Sequence, residues 1–386
     1  MNNIIYFDHA ATTSLKKDVL DEMLPFLTEY YGNSSGNYSL GKSSLAAINI
    51  ARQRVATAIN CNPDEVFFTS GGTESDNWAI KGVAFANRSK GNHIITSSIE
   101  HPAVMKSLKF LELNGFEVTY LPVKEDGIIS VNDLEASIKD NTILISIMFA
   151  NNEVGTIQPI ESIGNIARKH NICFHTDAVQ AVGNMDIDVA HLNIDLLSMS
   201  AHKFNGPKGI GALYIRSGVI IDSNMHGGSQ ENGRRAGTEN VAGIVGLGKA
   251  IELATADMII KNEKISAIRD GFIKKVIENV PKSKLNGHPI YRLPGNANIS
   301  FAPADSKELI ALLDQHGICA SNGSVCSCKF NRPSPVLLAM KKDENIASGS
   351  IRFTFGEENT KEEVDYVVSI LKQEIGGLMK KFPPIK

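Results

Sequence analysis

The sequence predicts an α/β protein built on a mostly parallel sheet with helices on both faces. Short apolar runs typical of buried strands alternate with amphipathic stretches of helical length through most of the chain. Nearly every apolar run ends in polar residues, and parallel strands bring such ends to one edge of the sheet. After Pro281 the spacing changes, which indicates a smaller α+β domain packed on the first.

The first region begins with a short strand at 4–7, a polar turn and helices at 16–31 and 43–60. Seven further apolar runs are predicted as strands, namely 66–70, 93–97, 116–123, 142–149, 172–177 and the runs that begin at Asp195 and Gly209. The helices between them are predicted at 78–86, 102–113, 131–138 and 160–170.

The stretch 241–280 is long and mostly helical. Beyond it, strands are predicted at 296–301, 318–321 and 350–355, and helices at 307–315, 335–341 and 361–380. We place the domain boundary inside the long helical stretch. Two domains are expected, one formed by residues 15–258 and a smaller one formed by residues 1–14 together with 259–386.

Composition excludes several classes of protein. The 386 residues carry a formal net charge of -3, which gives no general electrostatic attraction to nucleic acid or to an anionic membrane. No apolar run is long enough to span a membrane, and the start of the chain does not resemble a signal peptide. The five cysteines are sparse and odd in number, which favours free thiols in the cytoplasm. Cys326 and Cys328 are too close for usual zinc ligands, so we expect no metal.

A candidate reactive amine lies in the stretch 195–214. An apolar strand ends in small polar residues, then come His202 and Lys203, and a Gly/Pro-rich turn leads into the next strand. A lysine desolvated at a strand end is a good nucleophile toward a carbonyl. Taken alone, however, Lys203 reads more readily as a surface lysine.

A candidate phosphate site follows the strand at 66–70. Gly71, Gly72 and Thr73 open a helix, where backbone N–H groups and the helix dipole favour an anion. The alternative is a plain helix cap by Ser70 or Thr73, and this stretch alone favours that alternative.

Polar side chains follow the other predicted strands. They include His101, Asn152, Asp177 and Gln180. Pyridoxal 5'-phosphate needs a lysine for its aldehyde, a helix N-terminus for its phosphate, a carboxylate for its ring nitrogen and a flat group against its ring. The residues above supply one of each, so the set is more specific than any member.

Two polar loops remain. The loop 227–240 is Gly-rich and long enough to be functional or disordered. The stretch 319–335 is Ser-rich and carries three cysteines. A lone cysteine is usually buried as a small apolar residue, but a polar loop disfavours burial. Lys329 and Arg332 nearby would favour a thiolate at Cys326.

Over almost its whole length the chain resembles the cysteine desulfurases, within the class V aminotransferase group of fold-type I pyridoxal-phosphate enzymes. The motifs that carry the resemblance are Tyr6-Phe-Asp-His-Ala-Ala-Thr-Thr13, Thr69-Ser-Gly-Gly-Thr-Glu-Ser-Asp-Asn77, Glu100-His-Pro102, Asn151-Asn-Glu-Val-Gly155, His175-Thr-Asp-Ala-Val-Gln180, Ser200-Ala-His-Lys203, Arg234-Arg-Ala-Gly-Thr-Glu-Asn240, Ser324-Val-Cys326 and Ile351-Arg352.

The resemblance implies a large domain with a seven-stranded sheet, a smaller α+β domain, and a homodimer. It implies conversion of L-cysteine to L-alanine, with the sulfur held as a persulfide on Cys326 and then passed to an acceptor protein. The catalytic residues would be Cys326, Lys203 and His101. The acceptor could serve iron–sulfur cluster assembly, tRNA thiolation or DNA phosphorothioation.

The resemblance also implies how the cofactor and substrate are held. Lys203 would bond the aldehyde and move the Cα proton, Asp177 would pair with the ring nitrogen, and His101 would stack on the ring. The other implied cofactor contacts come from Gly72, Thr73, Asn152, Gln180, Ser200 and His202, with Thr238 from the second subunit. Asn152 and Arg352 would hold the substrate carboxylate, a task that suits a planar guanidinium.

This sequence departs from the family pattern at a few positions. The loop 32–38 is altered, Asn322 and Val325 replace small residues, and Cys328 is an additional thiol that could act as a second sulfur carrier. Three alternatives stay open: a selenocysteine lyase, a transaminase on the same scaffold, or an idle member that serves as a sulfur-transfer scaffold.

Overall fold

The computed structural model describes residues 4–301, 304–323 and 333–381, and the side chains of these residues up to 376. The described strands are β1 (Ile5–Tyr6), β2 (Val66–Thr69), β3 (His93–Ser97), β4 (Glu117–Leu121), β5 (Thr142–Ser146), β6 (Cys173–Asp177), β7 (Leu196–Ser200), β8 (Gly211–Ile215), β9 (Ser283–Asn286), β10 (Asn296–Phe301), β11 (Ile318–Cys319) and β12 (Ser350–Thr354). The described helices are α1 (Lys17–Met23), α2 (Pro25–Thr28), α3 (Ser39–Ile59), α4 (Gly72–Ala86), α5 (Pro102–Leu113), α6 (Val131–Ala136), α7 (Ile160–Lys169), α8 (Val241–Ala256), α9 (Met258–Asn279), α10 (Ser306–Gln315), α11 (Pro335–Ala339), α12 (Glu344–Ser348) and α13 (Lys361–Lys381).

The main sheet has the strand order β2-β8-β7-β6-β5-β3-β4. β8 runs antiparallel to both of its neighbours, and the other pairings are parallel. The predicted α/β fold with a mostly parallel seven-stranded sheet is therefore confirmed. The sheet places the carboxyl ends of β2, β3, β5, β6 and β7 along one edge, where the polar side chains follow.

Both faces of this sheet are covered, because neighbouring residues of one strand enter different apolar clusters. Phe68, Ile95 and Ile145 belong to one cluster, which also contains residues of α3 and α8. The residues just before them, Phe67, Ile94 and Leu144, belong to the other, which contains residues of α4 and α5. The near-continuous apolar character of these strands follows from burial on both faces.

A third apolar cluster lies in the C-terminal part of the chain and includes Ile5 and Phe7. β1 pairs with β11 in parallel, and β12, β10 and β9 form an antiparallel sheet. β9 was not predicted, since Ser283–Asn286 lacks an apolar alternation that would mark a strand. The N-terminal strand thus joins elements more than 300 residues later in the sequence.

Some helix boundaries differ from the prediction. The predicted helix 16–31 is two helices, since Pro25 opens the second one and cannot donate a hydrogen bond to the turn before it. The predicted helix 43–60 begins earlier, at Ser39. The long stretch 241–280 is divided at Asp257 into α8 and α9. Among the described residues, no helix is both long and apolar enough to cross a membrane.

Candidate active site

A cleft of about 600 Å³ opens at the carboxyl edge of the main sheet. Ten of the predicted site residues line it: Gly72, Thr73, His101, Asn152, Asp177, Gln180, Ser200, His202, Lys203 and Arg352. Thr238 is exposed and is not among the described residues that line the cleft. Cys326 and Cys328 lie outside the described residues. The topology therefore gathers these ten residues from six separated stretches of sequence.

The start of α4 forms one end of the cleft. Gly71 is its N-cap residue, so no side chain caps the helix there, and the plain Ser/Thr cap considered from the sequence does not form. A Cβ at Gly72 would lie 2.6 Å from Cγ2 of Val179, which explains why glycine is needed at this close approach. The first N–H groups of a helix lack partners within it, and they favour an anion.

Lys203 follows β7 in a short 3₁₀ turn, Ala201–Lys203. Its Nζ donates to the carbonyl oxygens of Ala10 and Ala11, at 2.5 and 2.8 Å. Burial, assisted by the charge of Arg352, lowers the pKa of Lys203 to about 8. An amine with this pKa is partly neutral near physiological pH, which makes it a competent nucleophile and base.

Asp177 ends β6 and accepts a hydrogen bond from the Val179 N–H at 3.0 Å. Burial raises its pKa, while the opposing charges of His101 and Lys203 lower it. His101 is the N-cap residue of α5, and its Nδ1 accepts from the Ala103 N–H at 3.2 Å. That bond leaves Nε2 of His101 available toward the cleft, since Nδ1 is already an acceptor.

Sequence reasoning missed Asp76, which lies on α4 and is 1% exposed. Three polar atoms lie within 4.8 Å of one another here: a carboxylate oxygen of Asp76, a ring nitrogen of His101 and a carboxylate oxygen of Asp177. Oδ1 of Asp76 has no hydrogen-bond partner among the described residues, and Nε2 of His175 is 3.6 Å away. Burial and the charge of Asp177 raise the pKa of Asp76 well above its ordinary value. The sequence did carry a signal that Asp76 lies near the cleft, because Asp76 follows Gly72 by four residues and therefore lies on the same face of α4, one turn further on.

Glu100 is a further buried carboxyl beside this group, and the sequence indicated it only as part of the motif Glu100-His-Pro102. It accepts from Ser97 Oγ at 2.6 Å and from the Met148 N–H at 3.0 Å. Burial raises its pKa to about 8. The region around Asp177 thus concentrates carboxyl groups of which only part can be ionised at once.

Arg352 is 2% exposed and comes from β12. Its Nη2 donates to Oδ1 of Asp8 at 2.8 Å and its Nη1 to the Asn152 carbonyl at 3.0 Å. Nε is buried with no partner among the described residues. Arg352 therefore forms a buried ion pair with Asp8, and this pair leaves one edge of the guanidinium unsatisfied.

The N-terminal segment 8–13 forms a wall of the cleft. Gln180 Nε2 donates to the Ala10 carbonyl at 3.0 Å. Nδ1 of His202 lies 3.1 Å from Thr12 Oγ1. Burial and the nearby charges of Lys203 and Lys208 lower the pKa of His202 to about 4, so this imidazole is neutral. Sequence reasoning assigned no role to this segment beyond a polar turn.

The fold and the cleft are those of the class-V aminotransferases. Residues 5–367 match the family model described as Aminotransferase class-V, and the chain belongs to this family. Proteins of this family depend on pyridoxal phosphate.

Within that family, the chain is a cysteine desulfurase. It is 54% identical to the protein named Cysteine desulfurase IscS of Clostridium botulinum (strain Hall), over 97% of this chain and 95% of the relative. It is also 54% identical to Cysteine desulfurase IscS of Methanosarcina thermophila, over 99% and 94% of the two chains.

Solved structures agree with this assignment. A NifS-like protein superposes with a TM-score of 0.92 and is 38% identical, covering 97% of this chain and 100% of its own. The structure described as "SspA in complex with cysteine" gives a TM-score of 0.83 at 39% identity, over 92% and 100%. The predicted family, fold and enzyme class are confirmed.

Proposed function

We propose that this cysteine desulfurase transfers the sulfur of L-cysteine to Cys326, using pyridoxal 5'-phosphate held in the 600 Å³ cleft. In the overall reaction, the C–S bond of cysteine breaks and an S–S bond forms at Cys326. L-alanine leaves, and the persulfide sulfur then passes to an acceptor. The observation that carries this proposal is the desolvated Lys203 amine in one cleft with Asp177 and the half-satisfied Arg352.

The residues of the cleft fit this cofactor. The glycine start of α4 leaves room and N–H groups for a phosphate, and two buried carboxyls with few hydrogen-bond donors suit a cationic ring nitrogen. Lys203 would hold the aldehyde, Asp177 the ring nitrogen, and His101 would lie on the ring. The remaining contacts would come from Gly72, Thr73, Asn152, Gln180, Ser200 and His202, with Thr238 supplied by a second subunit.

When bound, the cofactor supplies an electron sink next to the Cα of the amino acid. Lys203, whose pKa is about 8, would take the Cα proton and later return it. Arg352 would orient the substrate carboxylate through the edge of its guanidinium that carries the unpartnered Nε. The side chain of Asn152 would assist it. The Cys326 thiolate would attack the substrate sulfur, which requires the thiolate form.

We further propose two domains, 15–258 and 1–14 with 259–386. The separate C-terminal apolar cluster that includes Ile5 and Phe7 supports this division. Four residues of the second unit, Val336, Leu337, Met340 and Ala347, instead pack into the cluster of the main sheet. This contact would hold the smaller domain against the cleft.

A homodimer is part of the proposal. Thr238 is exposed and away from the cleft of its own chain, as a residue donated to a second subunit would be. Exposed apolar side chains concentrate on and around the first three helices, including Leu24, Leu27, Tyr31 and Tyr38. Such a concentration is typical of an interface.

The place and partner of the reaction are also proposals. Cys61, Cys173 and Cys319 are free thiols, which supports a cytoplasmic enzyme. We propose a sulfur-acceptor protein in iron–sulfur cluster assembly, tRNA thiolation or DNA phosphorothioation. Without an acceptor, sulfur on Cys326 would have to leave as sulfide by reduction with a thiol.

The test is stoichiometric. Purified protein should carry one pyridoxal phosphate per chain, with visible absorbance that borohydride bleaches. With L-cysteine and a thiol it should form alanine and sulfide in equal amounts. A colourless protein that gains no activity when pyridoxal phosphate is added would contradict the proposal.

A further inference from the structure

Asp76 is a buried carboxyl of the cleft to which the steps proposed above assign no role. It lies on α4 and is 1% exposed, yet it is one of the residues that line the cleft. One of its oxygens, Oδ1, is buried without a hydrogen-bond partner among the described residues. An ionised carboxyl in such surroundings would lose its hydration without full compensation, which is strongly unfavourable.

Polar groups from three parts of the fold face Asp76: β6, the turn between β3 and α5, and β7 with the turn that follows it. They are Asp177 and His175, Glu100 and His101, and Ser198 and Lys203. Two of these side chains are carboxyls like that of Asp76 itself. The balance of charge in this cluster therefore decides which of the carboxyls can ionise.

The two imidazoles bring no positive charge to the cluster near neutral pH. Burial lowers the pKa of His175 to about 3. Both of its ring nitrogens lie beside hydroxyls, Nδ1 at 2.9 Å from Ser146 Oγ and Nε2 at 3.1 Å from Ser198 Oγ. Burial also lowers the pKa of His101. Because both rings are neutral, neither supplies the positive charge that an ionised Asp76 would need.

The carboxyls of Asp76 and Asp177 are not equivalent. One oxygen of each lies within 4.8 Å of the other, a separation at which two buried negative charges repel strongly. Asp177 accepts a hydrogen bond from the Val179 N–H at 3.0 Å and is stabilised by the charge of Lys203. Burial and the charge of Asp177 raise the pKa of Asp76 well above its ordinary value, and the hydroxyl of Ser198 offsets this only in part. The negative charge therefore belongs to Asp177 and the proton to Asp76.

We propose that Asp76 is a positioning residue that keeps a proton in the folded protein, and that its O–H stabilises and orients the carboxylate of Asp177 toward the ring nitrogen of the cofactor. One negative charge then faces one cationic nitrogen, and the second carboxyl acts as a hydrogen-bond donor to the first. The orienting role rests on the proposed function, whereas the protonation of Asp76 is a property of the chain alone. Such a pair is organised before the cofactor binds, so little reorganisation is needed afterwards.

The main experiment is infrared difference spectroscopy of the holoenzyme near neutral pH, comparing wild type with Asp76→Asn. A protonated carboxyl has a C=O stretching band that a carboxylate lacks. The difference spectrum should therefore contain one carboxylic acid band, which shifts in deuterated water. Asp140→Asn is the matched control, because Asp140 is an exposed aspartate in the turn before β5, and its difference spectrum should contain no acid band. A carboxylate band alone for Asp76 would overturn the inference.

The stability of the cofactor-free chain is a second readout, because the raised pKa means that the folded state holds this proton more tightly than the unfolded state. Above the ordinary pKa of 3.8, wild type should lose stability as pH rises until Asp76 ionises, whereas Asp76→Asn has no such loss. For one proton per chain, the unfolding constant of wild type divided by that of Asp76→Asn should rise about tenfold per pH unit.

Urea unfolding between about pH 5 and pH 7 measures this ratio. Asp140→Asn should give a ratio that stays constant over the same range, because an exposed carboxyl is solvated in both states. A ratio for Asp76→Asn that does not change with pH would contradict the protonation of Asp76. This measurement does not involve the cofactor, so it tests the inference even where the proposed function fails.

Cofactor affinity tests the orienting role. Asp76→Asn should bind pyridoxal phosphate with a Kd within about threefold of wild type, because an amide keeps the shape and a donor. Asp76→Ala should raise the Kd about tenfold to a hundredfold, the range for losing a hydrogen bond to a charged group. Should Asp76→Ala fail to fold, Asp76→Leu, which is apolar and of similar size to Asp, takes its place.

The outcomes of the affinity measurement separate the inference from the proposed function. An Asp76→Asn variant that binds as weakly as Asp76→Ala would mean that an ionised Asp76 is needed, and it would overturn the inference. An unchanged Kd in Asp76→Ala would remove the orienting role. Wild type that does not bind pyridoxal phosphate would instead refute the proposed function, and the ratio of unfolding constants would then decide the protonation of Asp76.

Discussion

Nη2 of Arg352 lies 2.8 Å from Oδ1 of Asp8, although 344 residues separate the two in the sequence. The contact ties the N-terminal segment to β12 and orients a guanidinium that is 2% exposed. Because Asp8 and the Asn152 carbonyl take the two Nη atoms, the Nε side is what remains for a ligand.

Asp8→Ala should therefore destabilise the protein. Removing one partner of a buried ion pair leaves an uncompensated charge and costs about 3 kcal/mol or more. Asp21→Ala is the control, since Asp21 pairs with Lys17 on the surface of α1, where solvent screens the pair and its removal should change stability little. Urea unfolding of both variants measures the difference. Equal stabilities would mean that the Asp8 pair contributes nothing.

Lys203→Ala should abolish both the visible absorbance of the cofactor and all turnover. The reason is that the turn after β7 places the desolvated amine of Lys203 in the cleft. Lys208→Ala is the control, because Lys208 also lines the cleft but is exposed. Absorbance spectra and alanine release measure the effect. Colour and desulfuration retained in Lys203→Ala, but lost in Lys208→Ala, would exchange the two assignments.

The stability of the cofactor-free protein should depend on the protonation of Lys203. Burial lowers the pKa of Lys203 from 10.5 to about 8, so the folded state holds this proton less tightly than the unfolded state. Between those pH values the unfolded state binds more protons, and stability from this residue rises with pH. The full change corresponds to about 3 kcal/mol. The free energy of unfolding of wild type minus that of Lys203→Met, measured from pH 7 to 10.5, isolates the contribution of Lys203. A difference that does not change with pH would contradict the lowered pKa.

Asp177→Asn should keep the fold and lose most turnover. An amide has nearly the shape of the carboxylate and can still accept from the Val179 N–H, but it cannot balance a cationic ring nitrogen. Because burial of the charged form is also avoided, thermal stability should be unchanged or slightly higher. Alanine release and a thermal melt measure the two effects. Near-normal turnover would remove Asp177 from the cofactor site.

The two thiols of the segment beyond Gly323 should separate by function. Cys326→Ser should bind the cofactor and L-cysteine but carry no persulfide, because a hydroxyl is a poor nucleophile without an adjacent base. Cys328→Ser should keep alanine formation and lose at most the efficiency of sulfur delivery. Intact mass after brief exposure to L-cysteine, with alanine release, measures both. Persulfide on Cys328 in the Cys326→Ser variant, with alanine release maintained, would reverse the roles.

The sequence by itself determined the local features, because each depends on neighbouring residues. Apolar runs bounded by turns located the strands of the main sheet, and Gly71-Gly72 located the open start of α4. Lys203 was located by the strand that precedes it. The break at Pro25 was available from the sequence as well, yet the helical periodicity around it concealed the break.

Only the tertiary structure decided which distant residues share the cleft. The place of Asp76 one turn after Gly72 indicates that it lies near the cleft, but nothing in the sequence indicates that it lies beside Asp177, or that Asp8 lies beside Arg352. The same holds for Glu153, whose hydrogen-bond partner Ser334 lies 181 residues later in the sequence. These contacts arise from strand order and from packing between the sheets. Both are set by long-range burial of apolar surface, which leaves no periodic trace in the polar residues that it brings together.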